Sequence, residues 1–512
     1  MTPTSGSALA IDGSPLKLSE IETIANGFSK VTLMPAARER VKASRTVIES
    51  ILASGETVYG VNTGFGKLAD VRIPAEHLAD LQTNLVRSHA AGVGEPLSEA
   101  ESRAMLLLRA NVLAKGCSGV RPEILDLLLA MLNAGVHPVI PARGSVGASG
   151  DLAPLSHLAL VLIGEGEAIY RGQRISGAQA LSLAGLSPVQ LAAKEGLALL
   201  NGTQAMTAVG ALTTRYAQCL AAIADLAGAM SLEALKGTPA AFDSRIHAAR
   251  PHPGQIASAA NLERLLENSS IRESHRSAAV DSRVQDAYCL RCMPQVHGAV
   301  RGVLDHVAHI LEVESGSATD NPLIFANSGA TLPKVVSGGN FHGAPLSYAF
   351  DYASIALTDL ASISERRIDR LINPDINEGL PAFLTANAGL SSGYMIAHVT
   401  AAALLNECKV LAHPSSTDSV PTSGGKEDHV SMGMTGALKL RQIVDNLEKI
   451  LAIEILCAAQ GLDFRLPLRP GPAVAEAHTR IRALVPHLNE DRSPAPDIEA
   501  ISKAIRNGQL TE

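Results

Sequence analysis

The 512-residue chain contains no tryptophan, and aromatic residues make up only 3% of it. A core with so few rings must be packed with Leu, Ala, Val and Ile, a mixture that suits closely spaced helices. Charge is also sparse, 18% of residues against about 25% in ordinary domains. A long chain with little surface charge often covers part of its surface with further copies of itself. Lys and Arg number 43 against 50 Asp and Glu, a net charge of −7, with no basic run or basic-aromatic patch. That argues against a nucleic-acid partner. Met1 to Ser14 lacks the charged and apolar regions of a secretory signal. Uninterrupted apolar runs such as Leu158 to Ile163 are too short to cross a bilayer, so no membrane partner is expected. The six cysteines follow no framework spacing, which suits a reducing cytoplasm. Cys289 and Cys292 form a C-x-x-C without a second pair, and His306 with His309 lacks a third ligand. No metal site is expected. There is neither a P-loop nor a G-x-G-x-x-G after a strand, so nucleotide binding has no support.

What the chain does have is helical periodicity. Ser19-x-x-Glu22 predicts a capping box opening a short helix, and Pro35 suits the first turn of a second, running to Ala53. Further helices are expected over Ala75–Ala91, Ser98–Lys115 and Arg121–Ala134, with one hairpin around Arg171-Gly172-Gln173. Three very long patterns follow, Thr203–Lys236, Val280–Glu314 and Glu427–Gly461, each apolar on more than one face. They predict a central bundle shared between subunits. Thr331 to Gly343 and His413 to Gly425 read as irregular connectors, and helices are expected near Pro472–Val485 and Ile498–Asn507. The fold class is thus mainly α: a mixed N-terminal part over 1–200, a long-helix bundle over 201–464 and a helical tail over 465–512.

The richest stretch chemically is Gly144-Ser145-Val146-Gly147-Ala148-Ser149-Gly150-Asp151. Gly144 and Gly147 permit a strained turn, and Asp151-Leu152-Ala153-Pro154 opens a helix. Gly150 has no Cβ, so its nitrogen can bend back onto the Ala148 carbonyl carbon. Ring closure with loss of water, the Ser149 hydroxyl included, leaves a methylidene-imidazolone, an electrophile made from the chain itself. Reactions needing an electron sink must otherwise obtain it from a cofactor.

Other irregular segments carry polar groups that packing does not require. Tyr59 sits in a Gly-rich loop, Thr57 to Gly66; His89 ends a helix; Asn201 precedes a long one. Gln285, Tyr288 and Arg291 are spaced to share one helical face. Phe341 and His342 close a connector, and Glu427-Asp428-His429 open the last long helix. Each also has a plain structural reading: His89 as a satisfied histidine, Asn201 as a cap, Glu427 and Asp428 as partners of a helix dipole, Arg291 in an ion pair, Tyr288 at a core edge.

Together these motifs resemble the aromatic amino acid ammonia-lyases and 2,3-aminomutases. The resemblance is carried by Gly144 to His157, Tyr59-Gly60-Val61-Asn62-Thr63-Gly64-Phe65-Gly66, Asn201-Gly202-Thr203, Gln285 to Cys292 and Gly339-Asn340-Phe341-His342, and runs from about Leu18 to about Phe464. It implies an ammonia-lyase-like helical fold and a 4-methylidene-imidazol-5-one group formed from Ala148, Ser149 and Gly150, with no external cofactor. It also implies a homotetramer whose sites neighbouring subunits complete. By the same resemblance Tyr59 is the base, with its pKa lowered by helix N-termini or cationic neighbours, and Arg291 clamps the substrate carboxylate. Asn201, Gln285 and Tyr288 orient substrate and ring, Phe341 walls the pocket, and His89 and Glu427 address the substrate's side chain.

Ser88-His89 and Glu427-Asp428-His429-Val430-Ser431-Met432-Gly433 resemble the members acting on histidine, where phenylalanine and tyrosine members usually carry Gln in place of this Glu. Gly424-Gly425-Lys426 departs from the histidine pattern of Ala-Asn-Gln. A carboxylate can hold an imidazole N–H by a charge-assisted bond, whereas a phenyl ring leaves it unpaired at a cost. The expectation is deamination of L-histidine to trans-urocanate. A tyrosine or phenylalanine lyase, a 2,3-aminomutase, and a non-enzymatic helical scaffold are the alternatives.

Overall fold

A computed structural model of the chain describes residues 8–510, apart from 28, 65, 67–69, 278–279, 282, 328–331 and 333. Phe65 and Thr331 therefore lie outside the described residues, as do Met1 to Ser7. The chain forms two compact units. The first gathers Met1–Arg215, Val307–Asp351 and Pro414–Leu438; the second gathers Tyr216–His306, Tyr352–His413 and Lys439–Glu512. Each unit is thus assembled from stretches distant in sequence.

All strands among the described residues fall in the first unit. Leu9–Ile11 pairs in parallel with Val31–Leu33, and Val93–Pro96 antiparallel with Pro141–Arg143. Val136–Pro138 joins the hairpin of Glu167–Tyr170 and Gln173–Ser176. Arg171 and Gly172 turn that hairpin with φ of 50° and 76°, the positive values a two-residue turn needs. The helix Glu99–Ala114 begins as its sequence dictates, Ser98 and Glu101 each accepting the other's backbone N–H at 3.2 and 2.8 Å. Pro122 opens Pro122–Ala134, and Gly135 closes it at φ 77°.

Among the described residues, four helices exceed 20 residues: Gln204–Ala234, Met293–Ser315, Ala344–Ile372 and Gly433–Asp463. Two of the expected long helices start later than their periodicity suggested. Over 280–287 the described residues are irregular, followed by a turn at Tyr288–Arg291. Pro294, which fits only a first turn, fixes the start of the next helix at Met293. Glu427 does not open a helix either. It closes an antiparallel bridge with Thr422, and the positive φ of Met432, 57°, holds the chain out of helix until Gly433. The expected box at Ser19 is displaced as well: the helix starts at Leu18, and the Glu20 carboxylate accepts the Lys17 N–H at 2.8 Å.

One feature was hidden from a reading of uninterrupted apolar runs. Met395–Thr417 reaches the length and mean hydropathy, 1.3, of a membrane span. It carries Glu407, whose carboxylate accepts hydrogen bonds from Gln442 and Asn446 at 3.1 and 2.7 Å.

Candidate active site

The stretch 144–151 folds as a tight bend between the strand Pro141–Arg143 and the helix Leu152–Leu162. Gly144, Gly147 and Gly150 take φ of 137°, 67° and 77°, a region closed to most side chains. Gly150 pairs with Gly202 in a parallel bridge, and the Asp151 N–H donates to the Gly202 carbonyl at 2.7 Å. A Cβ on Gly150 would overlap that peptide unit, lying 2.6 Å from the Gly202 carbonyl carbon and 2.7 Å from its nitrogen. Asp151 is fully buried. It accepts the Met206 N–H at 2.9 Å and the Ser145 hydroxyl at 2.8 Å, tying the bend to the first turn of Gln204–Ala234. Burial outweighs these bonds and pushes its carboxyl up to about 6.

A cavity of about 680 Å³ opens over the bend, lined entirely by the first unit. It brings together Tyr59, His89, Ala148, Ser149, Asn201, Phe341 and Glu427 from six separate stretches of sequence. Glu427 lies against Ser149, whose hydroxyl donates to Oε1 at 2.5 Å, while Thr422 and Ser423 donate to Oε2 at 2.7 Å each. Burial raises this carboxyl, but the hydrogen bonds from Ser149, Ser423 and Thr422 outweigh it and hold the group below its ordinary value. The hydroxyls hold this carboxylate, not Lys426. Lys426 lines the same cavity and is exposed.

His89 Nδ1 faces the Leu85 carbonyl at 2.9 Å. A carbonyl only accepts, so Nδ1 carries the proton, and Nε2 of the neutral ring keeps its lone pair. Asn201 is buried. Its Nδ2 donates to the Asn321 carbonyl at 3.0 Å, whereas Oδ1 has no partner and is an acceptor to spare. Beneath it, fully buried Arg109 donates to the Asn201 carbonyl at 2.7 Å and to that of Ala198. These bonds close the C-terminal end of the helix Glu195–Leu200. Tyr59 departs from expectation. Burial raises its phenol above the ordinary value and Glu427 adds to this, with only the Gly66 N–H pulling the other way. Among the described residues, no cation or helix terminus lowers it.

Gln285, Tyr288 and Arg291 do not line this cavity; they belong to the second unit. Gln285 precedes the turn Tyr288–Arg291, so the three share no helical face. Tyr288 is 70% exposed, with the Arg291 guanidinium 4.5 Å from its ring centre. Two groups that sequence reasoning did not single out as site residues, Asp151 and Asn321, matter here, as does the pairing of two histidines that it named separately. Asp151 is the buried link between two helices. Asn321 anchors Asn201, and the imidazoles of His342 and His429 stack at 5.8 Å beside Phe341. The sequence marked Asp151 only as a helix start; its burial depends on Gln204–Ala234 folding over it.

A family model described as aromatic amino acid lyase matches residues 16–483. A histidine ammonia-lyase from Anaeromyxobacter sp. (strain K) is 57% identical, covering 98% of this chain and 99% of its own length. Among solved structures, histidine ammonia-lyase from Trypanosoma cruzi superposes with a TM-score of 0.90 at 43% identity, covering 98% of this chain and 94% of its own. A tyrosine aminomutase from Streptomyces globisporus superposes with a TM-score of 0.92 at 40% identity, covering 98% of each chain.

Proposed function

The chain belongs to the aromatic amino acid lyase family, and from that premise we propose that it is a histidine ammonia-lyase, releasing ammonia from L-histidine to leave trans-urocanate. The observation that carries the choice of substrate is the Glu427 carboxylate in the cavity that His89 also lines, a carboxylate that the hydroxyls of Thr422 and Ser423 still bind once Ser149 has lost its own. An imidazole N–H satisfies it by a charge-assisted bond, and a ring with no polar edge does not.

The bend fits a methylidene-imidazolone formed from Ala148, Ser149 and Gly150, because the Gly150–Gly202 contact leaves no room for a Cβ on Gly150. Such a group supplies an electrophilic carbon that captures an amino nitrogen and turns it into a better leaving group. The chain's own residues do the rest. Asn201 Oδ1, without a partner, accepts from the substrate amine. Tyr59 takes the β-proton as phenolate, and Phe341 closes the wall behind the substrate ring. His89 Nε2 and the Glu427 carboxylate each accept one of the two N–H groups of the substrate's imidazolium. Gln285, Tyr288 and the carboxylate clamp Arg291 are supplied by a neighbouring copy in a homotetramer, a guanidinium being the group suited to bidentate carboxylate binding. The compartment that fits the cysteine usage is the cytoplasm.

The 40% identity to a tyrosine aminomutase keeps a second reading in view, transfer or loss of the amine on tyrosine. Incubation with histidine, tyrosine and phenylalanine separates them: urocanate is expected, and a cinnamate or a β-amino acid would refute the proposal. Ser149→Ala is expected to abolish turnover, and its peptide spanning 144–151 is expected to have the mass of the open, uncyclised chain, whereas the wild-type peptide is lighter than its sequence by two waters. Glu427→Gln is expected to lower kcat/KM on histidine by about 10² or more with an unchanged melting temperature. An unchanged rate removes the reason for naming histidine.

A further inference from the structure

The bend is gripped at both ends, and neither grip comes from the segment that forms it. At the Gly150 end the grip is the bridge to Gly202. At the other end it comes from the turn 431–433. The Ser431 hydroxyl donates to the Gly147 carbonyl at 2.9 Å, and the Gly343 N–H donates to the same oxygen at 3.2 Å. The Met432 N–H donates to the Val146 carbonyl at 2.8 Å. Ser431 is itself fixed. It is 4% exposed, its carbonyl accepts the Ser347 hydroxyl at 2.6 Å, and its Oγ accepts the Gly433 N–H at 3.2 Å. A Cβ on Gly147 would overlap the Ser431 hydroxyl, so the contact is as close as a glycine permits. Ser431 is not among the residues that line the cavity.

We propose that Ser431 is a positioning residue for formation of the ring, holding the Gly147–Ala148 peptide so that the Ala148 carbonyl carbon faces the Gly150 nitrogen. This rests on the proposed role of Ala148, Ser149 and Gly150. A bond forms between Gly150 N and the Ala148 carbonyl carbon, and the Gly150 amide proton passes to the carbonyl oxygen. That oxygen leaves as the first water with the Ser149 amide proton. The Ser149 Cα proton and its hydroxyl leave as the second, with no change of oxidation state overall. Closing a five-membered ring from a free peptide is opposed by conformational entropy and by the planarity of the amide. A clamp on each flank removes that freedom before the bond forms. The two flanks are Gly202 and Ser431.

The test is a time course of the mass of peptide 144–151 after cell-free synthesis of the full chain, with the folded fraction followed by circular dichroism. Ser431→Ala is expected to fold and to lose its two waters roughly 3- to 10-fold more slowly than the wild type, the kinetic equivalent of one neutral hydrogen bond. Ser431→Thr, which keeps a hydroxyl, is expected to recover most of that rate. A folded Ser431→Ala that loses both waters at the wild-type rate overturns the proposal. If Ser431→Ala does not fold, Ser347→Ala decides instead. It leaves the Ser431 hydroxyl in place but frees its backbone, so slower water loss supports the clamp and an unchanged rate overturns it. A wild-type chain that never loses two waters removes the reading on which this rests, and the clamp with it.

Discussion

At the scale of single residues, Tyr59 sets the pH behaviour. A base must be deprotonated to act, and burial with Glu427 nearby raises the Tyr59 phenol above its ordinary value. Turnover is therefore expected to climb as pH rises through neutrality into the alkaline range, levelling where the phenol ionises. An acid-side optimum in the pH profile of kcat would count against Tyr59 as base in this environment. Residue identity was readable in the sequence for the groups that chemistry makes unusual: Ser149 between two small neighbours, Glu427 where a neutral amide would serve a phenyl ring, Asn201 before a long helix. The state of each group was not readable. Before the ring forms, the Glu427 carboxylate accepts from hydroxyls at Ser149, Thr422 and Ser423, and two of those come from a connector read only as irregular. Tyr59 was expected to be acidified because the sequence does not show how deeply its loop is buried.

Among the elements, the short helix Glu195–Leu200 does the most to place the site, since Asn201 leaves from its C-terminal end. Its N-terminal flank is Lys194, at φ 73°. Lys194 is fully buried and paired with Asp320 at 2.8 Å. Asp320 in turn precedes Asn321, the residue that orients Asn201. Lys194→Met strands a buried carboxylate and is expected to destabilise the protein by about 3–5 kcal/mol. A thermal melt showing a loss below about 1 kcal/mol would falsify the claim that this pair anchors the helix. Element type was largely legible because capping residues, Pro122 and the hairpin glycine act locally. Where the reading ran long, at Val280 and Glu427, apolar periodicity continued through residues that other constraints keep out of helix. Those constraints are Pro294 in one case and the Thr422–Glu427 bridge in the other.

Across the whole molecule, assembly of each unit from distant stretches was not legible, since no local signal records which segments meet. The second unit carries carboxyls that partners hold down to about 2. In Asp463, bonds from His478 and His487 outweigh burial; in Glu365, bonds from His398 and Arg366 do the same. Depressed carboxyls stabilise the folded state above the unfolded value near ~4 and lose that contribution as pH falls through the folded one. Stability is expected to fall steeply between about pH 5 and pH 2, by up to about 2 kcal/mol for each group. Asp463→Asn is expected to flatten that limb in acid denaturation followed by circular dichroism; an unaltered limb would dismiss the assignment. The Gly150–Gly202 contact has a consequence for the history such a chain can have. The obstruction a side chain would meet at Gly150 is main chain, so no change of residue type at position 202 can make space for it. Any lineage that drifts away from glycine at 150 has no neighbouring substitution through which to return to a working bend.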